Sequence, residues 1–156
     1  MRLTIFLVSF FLVSSAKAQV YVYPNDRLFY GEMLYNLENN ILCEGFQNVW
    51  SEAIFTIEDG KIYKGFSSSV FDLLYSIRDG QLYLKDSQFI SDVLFTLHEG
   101  KIYRGNSTYL LDLLFTVGGN AIYRGDSISA FDQVIAFEGR PRPEELFAIL
   151  MALEEI

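Results

Sequence analysis

The sequence is poor in the residues that most often carry chemistry. It holds one cysteine, Cys43, and one histidine, His98. A single thiol excludes an intramolecular disulfide, so stability has to come from packing. Cys43 lies in the apolar stretch "NNILCEG" and reads as a small buried hydrophobe, with an intermolecular disulfide or a reactive thiol as the alternative. His98 sits beside a hairpin turn, opposite Lys101, where water reaches it. With no nucleophile near and no second histidine, it makes neither a triad nor a metal site. There is no GxSxG, HExxH or CxxC and no phosphate-cradling glycine loop. Basic residues are scarce as well: 12 against 20 acidic, a net charge of −8. Such a chain repels phosphate backbones and anionic lipid, so no nucleic-acid partner is expected. Apart from the first residues, no apolar run approaches the roughly 20 residues that a membrane-spanning helix needs.

The first eighteen residues, "MRLTIFLVSFFLVSSAKA", have the pattern of a secretory signal. Arg2 supplies the positive start, Leu3 to Val13 the apolar run, and Ala16-Lys17-Ala18 the small-x-small cleavage pattern. Cleavage after Ala18 is expected, leaving Gln19 to Ile156 as one exported domain. Removing Arg2 and Lys17 leaves ten basic residues against twenty acidic, a net charge of −10. Cys43 is not the residue after the cleavage site, so a lipoprotein anchor is not indicated.

What the chain has in abundance is repetition. Six blocks of 20 residues start at 21, 41, 61, 81, 101 and 121, without an insertion. The fifth reads "KIYRGNSTYLLDLLFTVGGN". Position two is aliphatic in every block. Position three is Tyr23, Cys43, Tyr63, Tyr83, Tyr103 and Tyr123. Position seven is serine in four blocks: Ser67, Ser87, Ser107 and Ser127. Position twelve is always acidic: Glu32, Glu52, Asp72, Asp92, Asp112 and Asp132. The boundaries "TIEDGKIY", "SIRDGQLY" and "TLHEGKIY" put Asp-Gly or Glu-Gly between β-rich runs. That is the strongest short hairpin pattern, because a type I′ turn needs positive φ at both central residues. Asp59-Gly60 as the turn sets Glu58 against Lys61, Ile57 against Ile62 and Thr56 against Tyr63. Gly119-Asn120 serves the same purpose between Val117 and Ile122. The other half of each block is a wider connection, opened by Gly, Asn, Asp or Ser and closed by the acid.

Each block therefore contributes two strands, and about a dozen strands form an all-β antiparallel meander. Strict alternation puts Leu73, Tyr75 and Ile77, or Leu113, Phe115 and Val117, on one core face. The opposite face then holds Leu74, Ser76 and Tyr83 and is only half polar. A sheet apolar on both faces needs cover on both, and a closed, pseudo-symmetric barrel of six hairpin repeats supplies it without leaving edges. An in-line solenoid is the competing arrangement.

After the repeats, residues 143–154 of "PRPEELFAILMALEEI" are predicted to form a helix. Pro143 suits its first turn, and Glu144 and Glu145 suit its positive end. Leu146, Ile149, Leu150 and Leu153 form one stripe, with Phe147 and Met151 on a second. A helix apolar around most of its girth is buried. It either packs under the sheet or plugs the ring; a membrane-surface helix ranks third, since its charges are acidic.

The block pattern, with an aliphatic-Tyr start, Gly at five, Ser at seven and Asp at twelve, followed by a hydrophobic C-terminal helix, resembles the β-flower proteins. These are small bacterial repeat proteins of unassigned function. The resemblance covers residues 21–139 by pattern and the tail by position. It implies a shallow barrel whose hairpins radiate like petals, comparable in architecture to the Tubby C-terminal domain. The lipid function of that domain depends on basic residues and is not carried over to this acidic chain. The first two blocks depart from the pattern, with "YPNDR" and "CEGFQ".

Two repeated sets are candidate sites. The acids Asp72, Asp92, Asp112 and Asp132 recur at one level of a closed ring and suit a cation or polyol; the plainer reading has each accept hydrogen bonds within its own loop. No block has the acid-rich loop that calcium requires. Tyr63, Tyr83, Tyr103 and Tyr123, with Lys64, Arg104 and Arg124 beside them, suit a sugar or apolar ligand if exposed, and are strand residues with a wet hydroxyl otherwise. No metal or other cofactor is expected. The sequence points to a secreted, non-catalytic binding or interaction module for an unknown small ligand or protein. A carrier of a lipid or other hydrophobic ligand and a structural envelope protein are the alternatives, and an enzyme comes last.

Overall fold

The computed structural model describes residues 19–24, 33–46 and 49–154. The expected leader, Met1 to Ala18, and the acid Glu32 lie outside these residues. Twelve strands follow in chain order: β1 Val20–Pro24, β2 Tyr35–Glu38, β3 Ile41–Glu44, β4 Ala53–Glu58, β5 Lys61–Lys64, β6 Leu73–Arg78, β7 Gln81–Leu84, β8 Val93–His98, β9 Lys101–Arg104, β10 Leu113–Gly118, β11 Ala121–Arg124 and β12 Gln133–Glu138. Among the described residues there is one α-helix, α1, Pro143–Glu154. All neighbours are antiparallel, and β12 pairs with β1 to close the barrel.

The tight turns form as their sequences demand. Asp59 and Gly60, Asp79 and Gly80, and Glu99 and Gly100 all have positive φ, and Glu58, Ile57 and Thr56 oppose Lys61, Ile62 and Tyr63. Asn39 and Asn40 achieve the same turn with two asparagines, the non-glycine type that best tolerates this conformation. Each turn also reaches sideways: the carbonyls of Asn40, Gly60, Gly80, Gly100 and Asn120 accept N–H bonds from Ile57, Ile77, Leu97, Val117 and Phe137 of the next block. The sixth petal has no turn. It is made by the two ends of the barrel, with Tyr21 opposite Glu138 and Val22 opposite Phe137.

One expectation from simple alternation needs correcting. Every incoming strand between β4 and β12 carries a β-bulge, so Ile62 opposes Tyr75 whereas Tyr63 opposes Leu73. Leu74 is the extra residue. The bulge turns Leu74 into the barrel beside Tyr75 and Ile77 and moves Leu73 to the outer face with Tyr63 and Ser76. The bulged residue's carbonyl accepts from position five of the next block: Ile54 from Gly65, Leu74 from Lys85, Leu94 from Gly105, Leu114 from Gly125. Position five therefore sits at positive φ, which explains its glycines. Thr56, Thr96 and Thr116 donate to the carbonyls of Gly65, Gly105 and Gly125 at 2.7 Å and tie the same corner.

The interior is lined by position two, where Ile62, Leu82, Ile102 and Ile122 have no exposure, and by positions fourteen, fifteen and seventeen. Lys61 opposes Ser76, and Ser76 opposes Tyr83, so the register steps two residues per block. That stagger tilts the strands and sets the barrel width. Twelve strands leave a bore that their own side chains cannot fill. Helix α1, about 10–12 Å across with side chains, fills it. Leu146 to Ala152 are buried on every side of the helix. Arg142, just before the helix, bonds Asn40 at the tight-turn rim, and the Ala152 carbonyl accepts from Tyr35 Oη at the other end of β2. The helix thus runs through the barrel, the plug arrangement. Its start is locked by Glu145, which accepts from the Arg142 backbone N–H at 2.7 Å and from the Arg142 guanidinium.

Candidate functional site

The repeated acids are tied into their own loops. Ser67, Ser107 and Ser127 Oγ donate to Asp72, Asp112 and Asp132 at 2.6 Å, and Ser87 donates to Asp92. Each serine oxygen also accepts the N–H two residues on, at Ser69, Phe89, Tyr109 and Ser129. The acid closes a single 3-10 turn, as at Val70–Asp72 and Leu110–Asp112. The four carboxylates are thereby held apart, one per loop. Among the described residues, no group of three or more His, Cys, Asp or Glu is arranged to hold a metal.

The tyrosines lie on the outer face, opposite Thr56, Ser76, Thr96 and Thr116. They do not form an open row. Tyr103 is buried, and Tyr63, Tyr83 and Tyr123 are half-buried. Arg78 covers the Tyr83 ring at 4.3 Å, and Tyr83 Oη donates to Gln81. Cys43, at the same position, is buried and in no disulfide, and its thiol donates to the Val49 carbonyl at 3.8 Å. Burial, and then the Glu52 charge, push its thiol pKa up, so it stays protonated and unreactive at neutral pH. His98 is exposed, opposite Lys101 and beside Glu99.

The basic residues next to the tyrosines point the other way. Lys64, Leu84, Arg104 and Arg124 directly oppose Phe55, Tyr75, Phe95 and Phe115, whose side chains face the bore. Opposed residues share a face, so Lys64, Arg104 and Arg124 stand at the inner mouth at the wide-loop rim, with the acid Glu44, opposite the bore-facing Tyr35, at the same level. Helix α1 ends there. Its negative end and these three cations are electrostatically matched. Beside the helix, the mouth holds an open cavity of about 410 Å³ lined by Leu94, Phe95, Leu114, Phe115 and Met151, with Arg104 at its edge. None of Lys64, Arg104 and Arg124 has a carboxylate partner among the described residues.

A family model described as "6-fold beta flower protein" matches residues 22–150. The chain belongs to this family. No curated protein and no solved structure matches it.

The flower has a second feature at the same rim that alternation and turn patterns did not reveal. The 3-10 turns closing the wide loops expose large apolar side chains: Phe71 is 94% exposed, Leu111 99% and Phe131 99%, with Phe89, Ile90, Tyr109 and Leu110 also largely open. They surround the cationic mouth. The sequence places these residues in the wide connection that the acid closes, and turn patterns do not say whether an apolar residue there is covered. The mouth cations were visible only as neighbours of the tyrosines, because their direction depends on register.

Proposed function

We propose that this β-flower is an exported, non-catalytic binding module whose ligand seats in the wide-loop mouth of the barrel. The carrying observation is the cavity beside Met151, walled mainly by apolar side chains and with Arg104 in its lining. Apolar walls with a few placed polar groups are the common form of a small-molecule site. The ligand class is a small amphiphile, with an apolar part against Leu94, Phe95 and Leu114 and an anionic group on Arg104. The helix occupies the centre of the bore, so the cavity admits an apolar group at one end and not a long chain swallowed whole. The apolar turns around the mouth suit the delivery of such a ligand from an apolar surface. Export is proposed from the leader pattern of Met1 to Ala18.

The test is a fluorescence titration with 1-anilinonaphthalene-8-sulfonate, a compact anionic amphiphile, displaced by hexanoate. Saturable one-to-one binding is expected, weakened at least tenfold by Arg104→Glu and unchanged by His98→Gln. Absence of saturable binding to the folded protein, or an unaltered affinity in Arg104→Glu, overturns the reading. A structural, envelope-associated role is the second reading, favoured by the exposed ring of Phe71, Leu111 and Phe131, since apolar patches of this kind mark contact surfaces. It requires self-association or surface attachment that disappears when those three become serine.

A further inference from the structure

The outer face has grooves between neighbouring petals, and position one of a block faces position six of the next across each. In three consecutive grooves a polar strut spans the gap. Lys61 pairs with Asp86 at 3.2 Å, Gln81 Nε2 donates to Asn106 Oδ1 at 2.5 Å, and Lys101 pairs with Asp126 at 2.6 Å. One block earlier the same positions hold Ile41 and Phe66, and these side chains cannot make that bond. The groove there is an open cavity of about 390 Å³ with Ile41 and Phe66 in its wall.

The remaining wall is of a different character. Asn39 and Asn40 stand at the tight turn, Glu58 at the end of β4, and Ser67 and Ser68 on the wide loop. Asn39-Asn40 is a doublet of side-chain amides, whereas the other tight turns read Asp-Gly, Glu-Gly or Gly-Asn. The Asn40 side-chain Oδ1 accepts from the Arg142 guanidinium at 3.0 Å, which fixes the amide and leaves its nitrogen for another partner. Glu58 and Ser68 have no side-chain partner among the described residues, because Lys61, opposite Glu58, is engaged by Asp86. Phe66 is held flat by Trp50, whose ring stacks on it at 4.9 Å and 3°. Trp50 is not in the cavity wall, so it braces Phe66 without filling the space.

We infer that this groove is a saccharide site. A pyranose has one face of C–H groups and a rim of hydroxyls. The electron-rich face of a braced phenyl ring attracts polarised C–H groups. Amides, a carboxylate and a serine hydroxyl at the edge supply both acceptors and donors for the rim. Among the described residues that line the cavity Glu58 is the one charge and none is a cation, a lining that favours a neutral sugar over a uronic acid or a sugar phosphate. The volume falls in the range of small-molecule sites and accommodates one or two sugar rings.

The test is ligand-observed NMR with the methyl glycosides of glucose, galactose, mannose and N-acetylglucosamine. Trp50, the one tryptophan in the chain, provides a parallel emission signal. Saturable binding of at least one glycoside is expected, with a Trp50 emission change that tracks it. The double variant Ile41→Lys with Phe66→Asp rebuilds the strut found at Lys61 and Asp86. It uses residues that the neighbouring blocks already carry in intact strands, and circular dichroism verifies its fold. Glycoside binding by NMR is expected to weaken at least tenfold in it, and several-fold in Asn39→Ala, but not in Arg104→Glu at the barrel mouth. No binding of any of the four glycosides to the wild-type protein overturns the inference, as does wild-type binding by the folded double variant.

Discussion

At the scale of single residues, the repeat is turn chemistry carried out in four successive wide loops, those of Ser67, Ser87, Ser107 and Ser127. Ser107 illustrates it: its Oγ donates to Asp112 and accepts from the Tyr109 N–H. Ser107→Ala is expected to cost about 1 kcal/mol, the net worth of a partly buried hydrogen bond, read as a lower urea midpoint. Amide exchange should quicken in residues 107–112 and stay unchanged in the loop of Ser67. Cys43 makes a second residue-scale prediction. Its folded pKa lies above the ordinary thiol value of 9.0. The native state therefore holds the thiol proton at pH values where the unfolded chain has released it. This group's contribution to stability is full below pH 9.0 and is lost as pH rises through the folded value. Cys43→Ala should remove that part of the alkaline decline, and the wild-type thiol should react with Ellman's reagent far faster in urea than in buffer.

At the scale of elements, the two kinds of turn and the helix were legible, while the direction of several side chains was not. Asp59-Gly60 announces its own geometry, since few residue pairs tolerate two positive φ values. The apolar girth of Leu146 to Met151 announced burial on all sides. The bulge did not show, because Leu73, Leu74 and Tyr75 are all apolar and a run of three does not reveal which one is extra. Its trace was the glycine at position five of the following block, which reports a backbone bond and not a flexible linker. Phe71 and Leu111 were illegible for a related reason: local pattern distinguishes apolar from polar, and only the tertiary fold decides which apolar residue meets a partner. Two substitutions test this level. A Cβ on Gly80, whose φ is +75°, would lie 2.8 Å from the Leu97 carbonyl oxygen. Gly80→Ala is thus expected to cost about 1–3 kcal/mol, measured by thermal unfolding. Phe147 is fully buried in the bore. Phe147→Ala should cost about 3–5 kcal/mol and broaden the tertiary spectrum of strand residues all around the barrel.

At the scale of the whole molecule, closure joins the two ends of the repeat. Strand β1 completes the last petal against β12, and α1 then turns into the bore. The chain cannot form its final petal before both ends are made, and the mouth cavity is completed only when α1 brings Met151 beside β8 to β10. No helix among the described residues is long and apolar enough to cross a membrane. The same rim gathers the helix end, Lys64, Arg104 and Arg124, the cavity beside Met151 and the exposed apolar turns. The closed ring could be read from six in-register blocks, but the mouth could not, because its parts are contributed by alternate strands and by register.

The central claim is that this mouth holds an amphiphile in an exported protein. Native mass spectrometry of the protein purified from its host tests it most directly. The account predicts a polypeptide beginning at Gln19 that carries one small amphiphilic adduct, which is lost from Arg104→Glu. A wild-type protein that flies without an adduct, or an adduct retained unchanged by Arg104→Glu, would contradict it.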